Sequence, residues 1–279
     1  MITITVYQGS QADKELAEGI TQEIVKLGGI CMMSDRFRGD HESHFVVIGD
    51  ERAALETAIE ARSRNAIIHH LYAGDKSGCQ DDYYRDAISA LSDYLYAASA
   101  SSYCRAVLMS SRMQDQVVTL CKHPIPEPDT TRWAEESPYA YVRFHPNTLE
   151  PDEPVDQWID ECVKRAGEDG IDLYFGTPND DKGASHISGL WETRRQISKA
   201  GETICHACCL AVFPRAEYIG MLQHAQWIAG NSSSFVLDIA PGDRHKVKLY
   251  GNRQQNRVAP DAPANAPTFG EAILRHVGE

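Results

Sequence analysis

The chain has 279 residues, 42% hydrophobic and 24% charged, which is long enough for two domains of about 100–150 residues, each with a buried core. Its 40 acidic and 27 basic side chains leave a formal net charge of −13, which excludes a nucleic-acid backbone or an anionic membrane surface as the main partner, because both are held through an excess of Lys and Arg. The start, Met1 to Val6, is too short and too alternating for a signal peptide, no apolar run approaches the roughly 20 residues that span a bilayer, and the eight cysteines form no dense framework, so a cytoplasmic protein with buried thiols is expected.

Residues 2–7 read as a first strand ending in Gln8-Gly9-Ser10-Gln11, and a helical pattern follows from Asp13 to Leu27 with Leu16, Ile20, Ile24 and Val25 on one face. This is the opening β-loop-α of a doubly wound α/β domain, in which ligands sit at the carboxyl ends of the strands. The apolar run Phe45 to Ile48 delivers Gly49 and Asp50 to a strand end, and an alanine-rich helix covers Glu51 to Arg64. Ala66 to His70 is the next strand. It leads to Asp75, and Asp81, Asp82 and Arg85 stand at the start of the helix beyond. Carboxylates gathered at adjacent strand ends suit proton transfer, since like charges in a cleft push their pKa values apart and leave one able to accept a proton and another able to donate one. Aspartates after strands are also turn formers and helix caps.

A strand over 92–97 and a helix from Ser99 complete a first domain of residues 1–120, and the segment 121–137, with Pro124, Pro126 and Pro128, reads as a linker to a second domain of residues 138–279. That domain opens on the strand Tyr139 to Phe144, which ends in His145-Pro146-Asn147. A helix from Glu153 to Ala166, a strand Leu173 to Phe175 delivering Asn179, a helical stretch over 184–200 and a strand over 204–213 follow. Cys205-His206-Ala207-Cys208-Cys209 imitates a metal cluster, but it lacks a second ligand pair at finger-like spacing, and a buried strand is the expectation. After a helix from Arg215 to His224, the strand Trp227 to Ala229 runs through Gly230-Asn231 into Ser232, Ser233 and Ser234, which open a further helix. The first N–H groups of a helix lack intrahelical partners and the macrodipole is positive there, so such a start binds anions. Serine is equally an N-cap. A strand before Gly251, a Pro/Ala-rich connector after Arg257 and a short helix from Phe269 to His276 end the chain.

Gly230-Asn-Ser-Ser-Ser234 with an acid at Asp238, then Gly251-x-Arg253-Gln254-x-x-Arg257 after a strand, resembles the sugar-nucleotide half of the UDP-N-acetylglucosamine 2-epimerases. Gly49-Asp50, His70-Leu-Tyr-Ala-Gly74-Asp75, Asp81-Asp-Tyr-Tyr-Arg85-Asp-Ala-Ile88 and His145-Pro-Asn-Thr-Leu-Glu-Pro151 extend the resemblance, which is greatest to the hydrolysing branch. It implies two Rossmann-like domains facing a cleft, the B-type glycosyltransferase architecture. UDP would lie on the second domain, with Ser232, Ser233 and Ser234 on the diphosphate, Asp238 on the ribose, Asn179 on phosphate or ribose, and Arg253 and Arg257 in a closing loop. Asp50, Asp75, Asp81 and His145 would be catalytic, and Gly9, Gln11, Arg52 and Arg85 would contact substrate. In the hydrolysing reaction, loss of the C2 proton and of UDP gives a glycal that is hydrated to N-acetylmannosamine, chemistry that requires no metal or cofactor. The chain departs from the family pattern at Phe235 (usually Gly), Asp238 and Asp75 (usually Glu), and Gln11 (usually Arg); Arg52 and Arg85 are the candidates to replace that arginine. The expected partner is a UDP-sugar, with neither nucleic acid nor membrane, and a homodimer is left open. A glycosyltransferase on the same scaffold and a non-catalytic sugar-nucleotide binder are the alternatives.

Overall fold

All the strand pairings are parallel among the described residues, as repeated βα units require: a strand must pass through a crossover before its neighbour can start in the same direction. The computed structural model describes the chain apart from residues 1–3, 8–10, 39–42, 78–80, 112–115, 148–149, 179–181, 198–206, 211–212, 253, 255–256 and 279; of 11–13, 195–197 and 207–210 it describes the backbone. The chain divides into two units, one of Met1–Pro124 with Arg257–Glu279 and one of Ile125–Asn256.

In the first unit, β1 (Ile4–Tyr7), β2 (Cys31–Ser34), β3 (His44–Val47), β4 (Ile67–Leu71), β5 (Tyr94–Ala97) and β6 (Val117–Leu120) form a sheet in the order β2-β1-β3-β4-β5-β6. Helices α1 (Gln11–Lys26), α2 (Arg52–Ser63), α3 (Asp81–Leu91) and α4 (Ala100–Ser110) connect them. Because successive strand side chains point to opposite faces, Ile4, Val6, Val46 and Tyr96 pack with Leu16, Ala17, Ile20 and Ile24 of α1, while Phe45, Val47 and Ile68 meet Ala54, Ala58 and Ala61 of α2. Val25 does not join this face: it is 54% exposed, because it sits about 100° around the helix from Ile24, and Ala17 completes the stripe instead. The strands absent from the sequence reading, β2 and β6, are the two edges of the sheet, where burial on fewer sides leaves a weaker apolar pattern.

The tail divides differently from the sequence reading, which put 138–279 in one domain. Helix α9 (Phe269–Val277) starts at a capping box of Thr268 and Glu271 and lays Phe269, Ala272 and Ile273 into the α1 side of the first core. Glu23 of α1 accepts the Gly270 N–H at 3.2 Å.

The second unit has β7 (Tyr139–Arg143), β8 (Asp172–Gly176), β9 (Ala207–Leu210), β10 (Trp227–Gly230) and β11 (Val247–Leu249) in the order β11-β10-β7-β8-β9. Its helices are α5 (Val155–Asp169), α6 (Ala184–Ile197), α7 (Arg215–His224) and the single turn α8 (Ser234–Leu237). Phe144, Phe175, Trp191 and Trp227 fill one side of this sheet, and Tyr139, Tyr141, Met221, Ile228 and Phe235 fill the other. The end of the expected linker belongs to that second cluster: Trp133, in a 3-10 turn, is buried against Tyr139 and Phe213. Strand order reverses beside β1 in the first sheet and beside β7 in the second, and at such a point the loops leaving neighbouring strands diverge and open a crevice. Asp50 follows β3 at one reversal; His145 and Ser232 follow β7 and β10 at the other.

Candidate functional site

In the first unit the turn after β4 aims a carboxylate inward. Tyr72 and Gly74 both have left-handed backbones, φ +59° and +73°, and a Cβ on Gly74 would run into the Ser102 carbonyl of α4, so glycine is needed for the turn to lie against that helix. Arg105 Nε donates to the Gly74 carbonyl at 2.5 Å and holds the turn down. Asp75 is buried as a result.

Arg85, also buried, reaches three groups from α3. It donates to Asp82 Oδ1 at 2.5 Å and to the Asp75 carbonyl at 3.1 Å, and it pairs with Asp50 Oδ2. The N–H and hydroxyl of Ser77 add two donors to Asp82 Oδ1, each at 2.9 Å. Asp75 is held on one side only. Its Oδ2 lies 2.7 Å from Arg257 Nε, an ion pair whose N–H does not point along the line to the oxygen, and its Oδ1 is buried without a hydrogen-bond partner among the described residues. Asp50, Asp75, Asp82, Arg85 and Arg257 therefore form one group of three carboxylates and two guanidiniums.

Asp81 lies half-buried in the first turn of α3, and Asp82, three residues before Arg85 on one helix face, pairs with it. That spacing is the sequence signal for Asp82. Arg52 stands elsewhere, with a side chain 78% exposed on α2 and bonded to Glu56. Of the two arginines that could replace the one missing at Gln11, Arg85 alone joins the carboxylates. Gly9 and the Gln11 side chain lie outside the described residues. His70, within β4, bonds Ser89 Oγ at 2.8 Å, and burial pushes its pKa down to about 3, so it is a neutral imidazole.

In the second unit the ends of β7 and β10 are locked together. Gly230 has φ +144°, and a Cβ there would collide with the Arg143 carbonyl across the sheet. Asn231, fully buried, accepts the His145 N–H at 2.7 Å and donates to the His145 carbonyl at 2.9 Å. Nothing local in the sequence marks this clamp. Asn231→Ala is expected to strand both backbone groups of His145 and lower the unfolding free energy by about 1–3 kcal/mol, read as a lower urea midpoint at constant m-value.

His145 Nε2 lies 3.3 Å from Ser232 Oγ, which lies 2.9 Å from Ser234 Oγ, and Tyr218 Oη of α7 is 2.7 Å from Ser234 Oγ. Burial holds the Tyr218 phenol above its ordinary pKa, so it stays a protonated donor. The hydroxyls thus form a chain rather than caps: Ser233 precedes α8 with no side-chain cap bond. Helix α8 is only four residues long, too short for a sustained macrodipole, so the donors this turn presents are individual hydroxyls and loop N–H groups rather than a helix dipole. Asp238 pairs with Arg215 at 2.6 Å. No sequence signal points to Arg215, since its partner lies on the far side of a helix and a strand. Arg257, which the resemblance puts in a loop closing on the nucleotide, forms an ion pair with Asp75. Asn179, Ser10 and Arg253 lie outside the described residues, as do Cys205 and His206, while Cys208 and Cys209 fall on β9. Among the described residues there is no group of three metal-ligating side chains and no helix long and apolar enough to cross a membrane.

The fold is that of known enzymes. The structure superposes on UDP-N-acetylglucosamine 2-epimerase from Rickettsia bellii with a TM-score of 0.69 at 11% identity, covering 99% of this chain and 96% of that one. It superposes on the Neisseria meningitidis enzyme, crystallised with UDP-GlcNAc, with a TM-score of 0.62 at 12% identity, covering 92% and 89%. In sequence it is 26% identical over 260 residues to UDP-N,N'-diacetylbacillosamine 2-epimerase (hydrolyzing) of Legionella pneumophila, covering 87% of this chain and 65% of that protein. The polysialic acid biosynthesis protein P7 of Escherichia coli is 24% identical over 265 residues, covering 89% and 65%. The chain thus spans about two thirds of the length of these curated relatives. The family model for UDP-N-acetylglucosamine 2-epimerase matches residues 11–277, and the chain belongs to that family.

Proposed function

We propose that this chain is a 2-epimerase of a UDP-N-acetylhexosamine, of the hydrolysing kind, with UDP-N-acetylglucosamine as the reference substrate. The observation that carries the reading is Asp75: a buried carboxylate, charge-paired on one oxygen, whose other oxygen has no hydrogen-bond partner among the described residues. That oxygen is an acceptor without a competing donor, which is what abstraction of a proton from carbon needs. A sugar-nucleotide binder has no use for it. The C2–H bond breaks with the proton passing to Asp75 Oδ1, the electron pair forms the C1=C2 bond, and the C1–O bond breaks with its electrons leaving on UDP. Water then adds across the double bond, hydroxyl to C1 and proton to C2 from the opposite face. Asp50, Asp82 and Arg85 orient the sugar end, and Ser232, Ser234 and Tyr218 donate to the diphosphate.

NMR of the protein with UDP-N-acetylglucosamine in deuterated water tests this. UDP release with deuterium at C2 of N-acetylmannosamine is the expected result; transfer to an acceptor, or hydrolysis that leaves C2 protonated, overturns it. The diphosphate assignment has its own test. Ser233 is half-exposed, so aspartate fits there without disturbing the core, and Ser233→Asp is expected to lower UDP affinity in calorimetry by at least about 10²-fold through like-charge repulsion. An affinity within threefold of the original removes the serines from the site.

A further inference from the structure

We propose that Arg257 is a positioning residue that holds the Asp75 side chain and selects which of its oxygens faces the sugar; this rests on the epimerase reading above. Asp75 and Arg257 side chains are 6% and 7% exposed, so the pair is withdrawn from water. Asp50 and Asp82 belong to the same group, so three carboxylates share two guanidiniums. The Arg85 guanidinium serves Asp50 and Asp82 and meets Asp75 at the backbone carbonyl. Among the described residues, Arg257 is the cation paired with the Asp75 side chain. By taking Oδ2 it leaves Oδ1 as the accepting atom.

The arginine is fixed by the chain that follows it. Asp261 accepts the Ala100 N–H at 2.6 Å, Lys122 N–H donates to the Pro267 carbonyl at 2.9 Å, and α9 is anchored in the α1 core. This path lets the connector deliver Arg257 to the end of β4. The competing role is a clasp that only fastens the returning chain.

The two roles separate in steady-state kinetics of the full chain with UDP-N-acetylglucosamine, following UDP release. Arg257→Ala is expected to lower kcat by about 10²-fold, the low end for loss of a positioned acid or base, with KM changed less than about threefold. Arg257→Lys should retain most of the lost rate, and guanidinium ion added to the alanine variant should restore part of it. In an Asp75→Asn background, Arg257→Ala or Arg257→Lys should cost nothing further, because Arg257 acts through Asp75. If the alanine variant does not fold, Arg257→Gln, which keeps most of the side-chain length and removes the charge, takes its place in that same cycle. A raised KM with kcat preserved, no rescue by guanidinium, or a loss that adds fully to that of Asp75→Asn overturns the proposal. If the wild-type chain incorporates no deuterium at C2, the epimerase reading fails and this one falls with it; if it does and the cycle is additive, only this one falls.

Discussion

Asp75→Asn is expected to lower turnover by about 10²–10⁴-fold and leave UDP affinity unchanged. Asparagine fills the same volume in the same turn, so Gly74, Arg105 and the packing against α4 are undisturbed. What changes is chemical: an amide accepts no proton from carbon, and Arg257 loses its counter-charge. Asp50→Asn should also slow the reaction, but by a different route, since Asp50 is the partner of Arg85, and its loss leaves that guanidinium to Asp82 and the Asp75 carbonyl. UDP release in a single turnover and UDP titration by calorimetry separate rate from affinity. Equal losses in both would reduce these aspartates to a structural network.

The residues legible in the amino-acid sequence are those whose role is written locally. Asp50 and Asp75 follow apolar strands, and His145 and Ser232 do the same in the second unit, so the end-of-strand rule for doubly wound sheets is enough to place them. Partners across elements are not legible in this way. The Arg257–Asp75 pair joins the last segment of the chain to β4, and a motif that reads Arg257 as part of a nucleotide loop contains nothing about where the returning chain docks. Helix α9 shows the same limit: its amphipathic stripe announces that it must be buried but not against which core. The serines illustrate a third case. Their hydroxyls are visible in the sequence, but the length of the helix they open is not, and a single turn offers individual donors in place of a helix dipole.

Acid is expected to unfold the first unit before the second. His69 and His70 are fully buried in β4, and burial holds both below the ordinary histidine range, His70 at about 3. His69 is crowded further: its Nε2 lies 2.7 Å from His44 Nδ1, where one proton fits between two rings, its Nδ1 bonds Tyr96 Oη at 2.8 Å, and Tyr94 stacks on its ring with His276 of α9 beyond. Asp93 favours the charged form of His44, but desolvation there is larger and lowers it too. In the unfolded chain each imidazole titrates near 6.5. The unfolded state therefore binds more protons below that pH, so the stability these groups allow is fully present above about pH 6.5 and is lost as pH falls from there toward the depressed folded values. Between pH 7 and 5 the loss is about 2 kcal/mol for His70, and His69 adds a loss of the same sign. The four tryptophans, 133, 158, 191 and 227, all lie in the second unit, so their fluorescence reports that unit alone, while hydrogen exchange at the amides of β4, β5 and α9 reports the first. At pH 5, relative to the intrinsic exchange rate at that pH, protection in the first unit should fall while tryptophan emission stays native. His70→Asn retains a group able to bond Ser89 and removes one titration, so it should recover about 2 kcal/mol of the acid-dependent loss. Simultaneous loss of both signals, or a pH dependence unchanged in His70→Asn, would locate the acid sensitivity elsewhere.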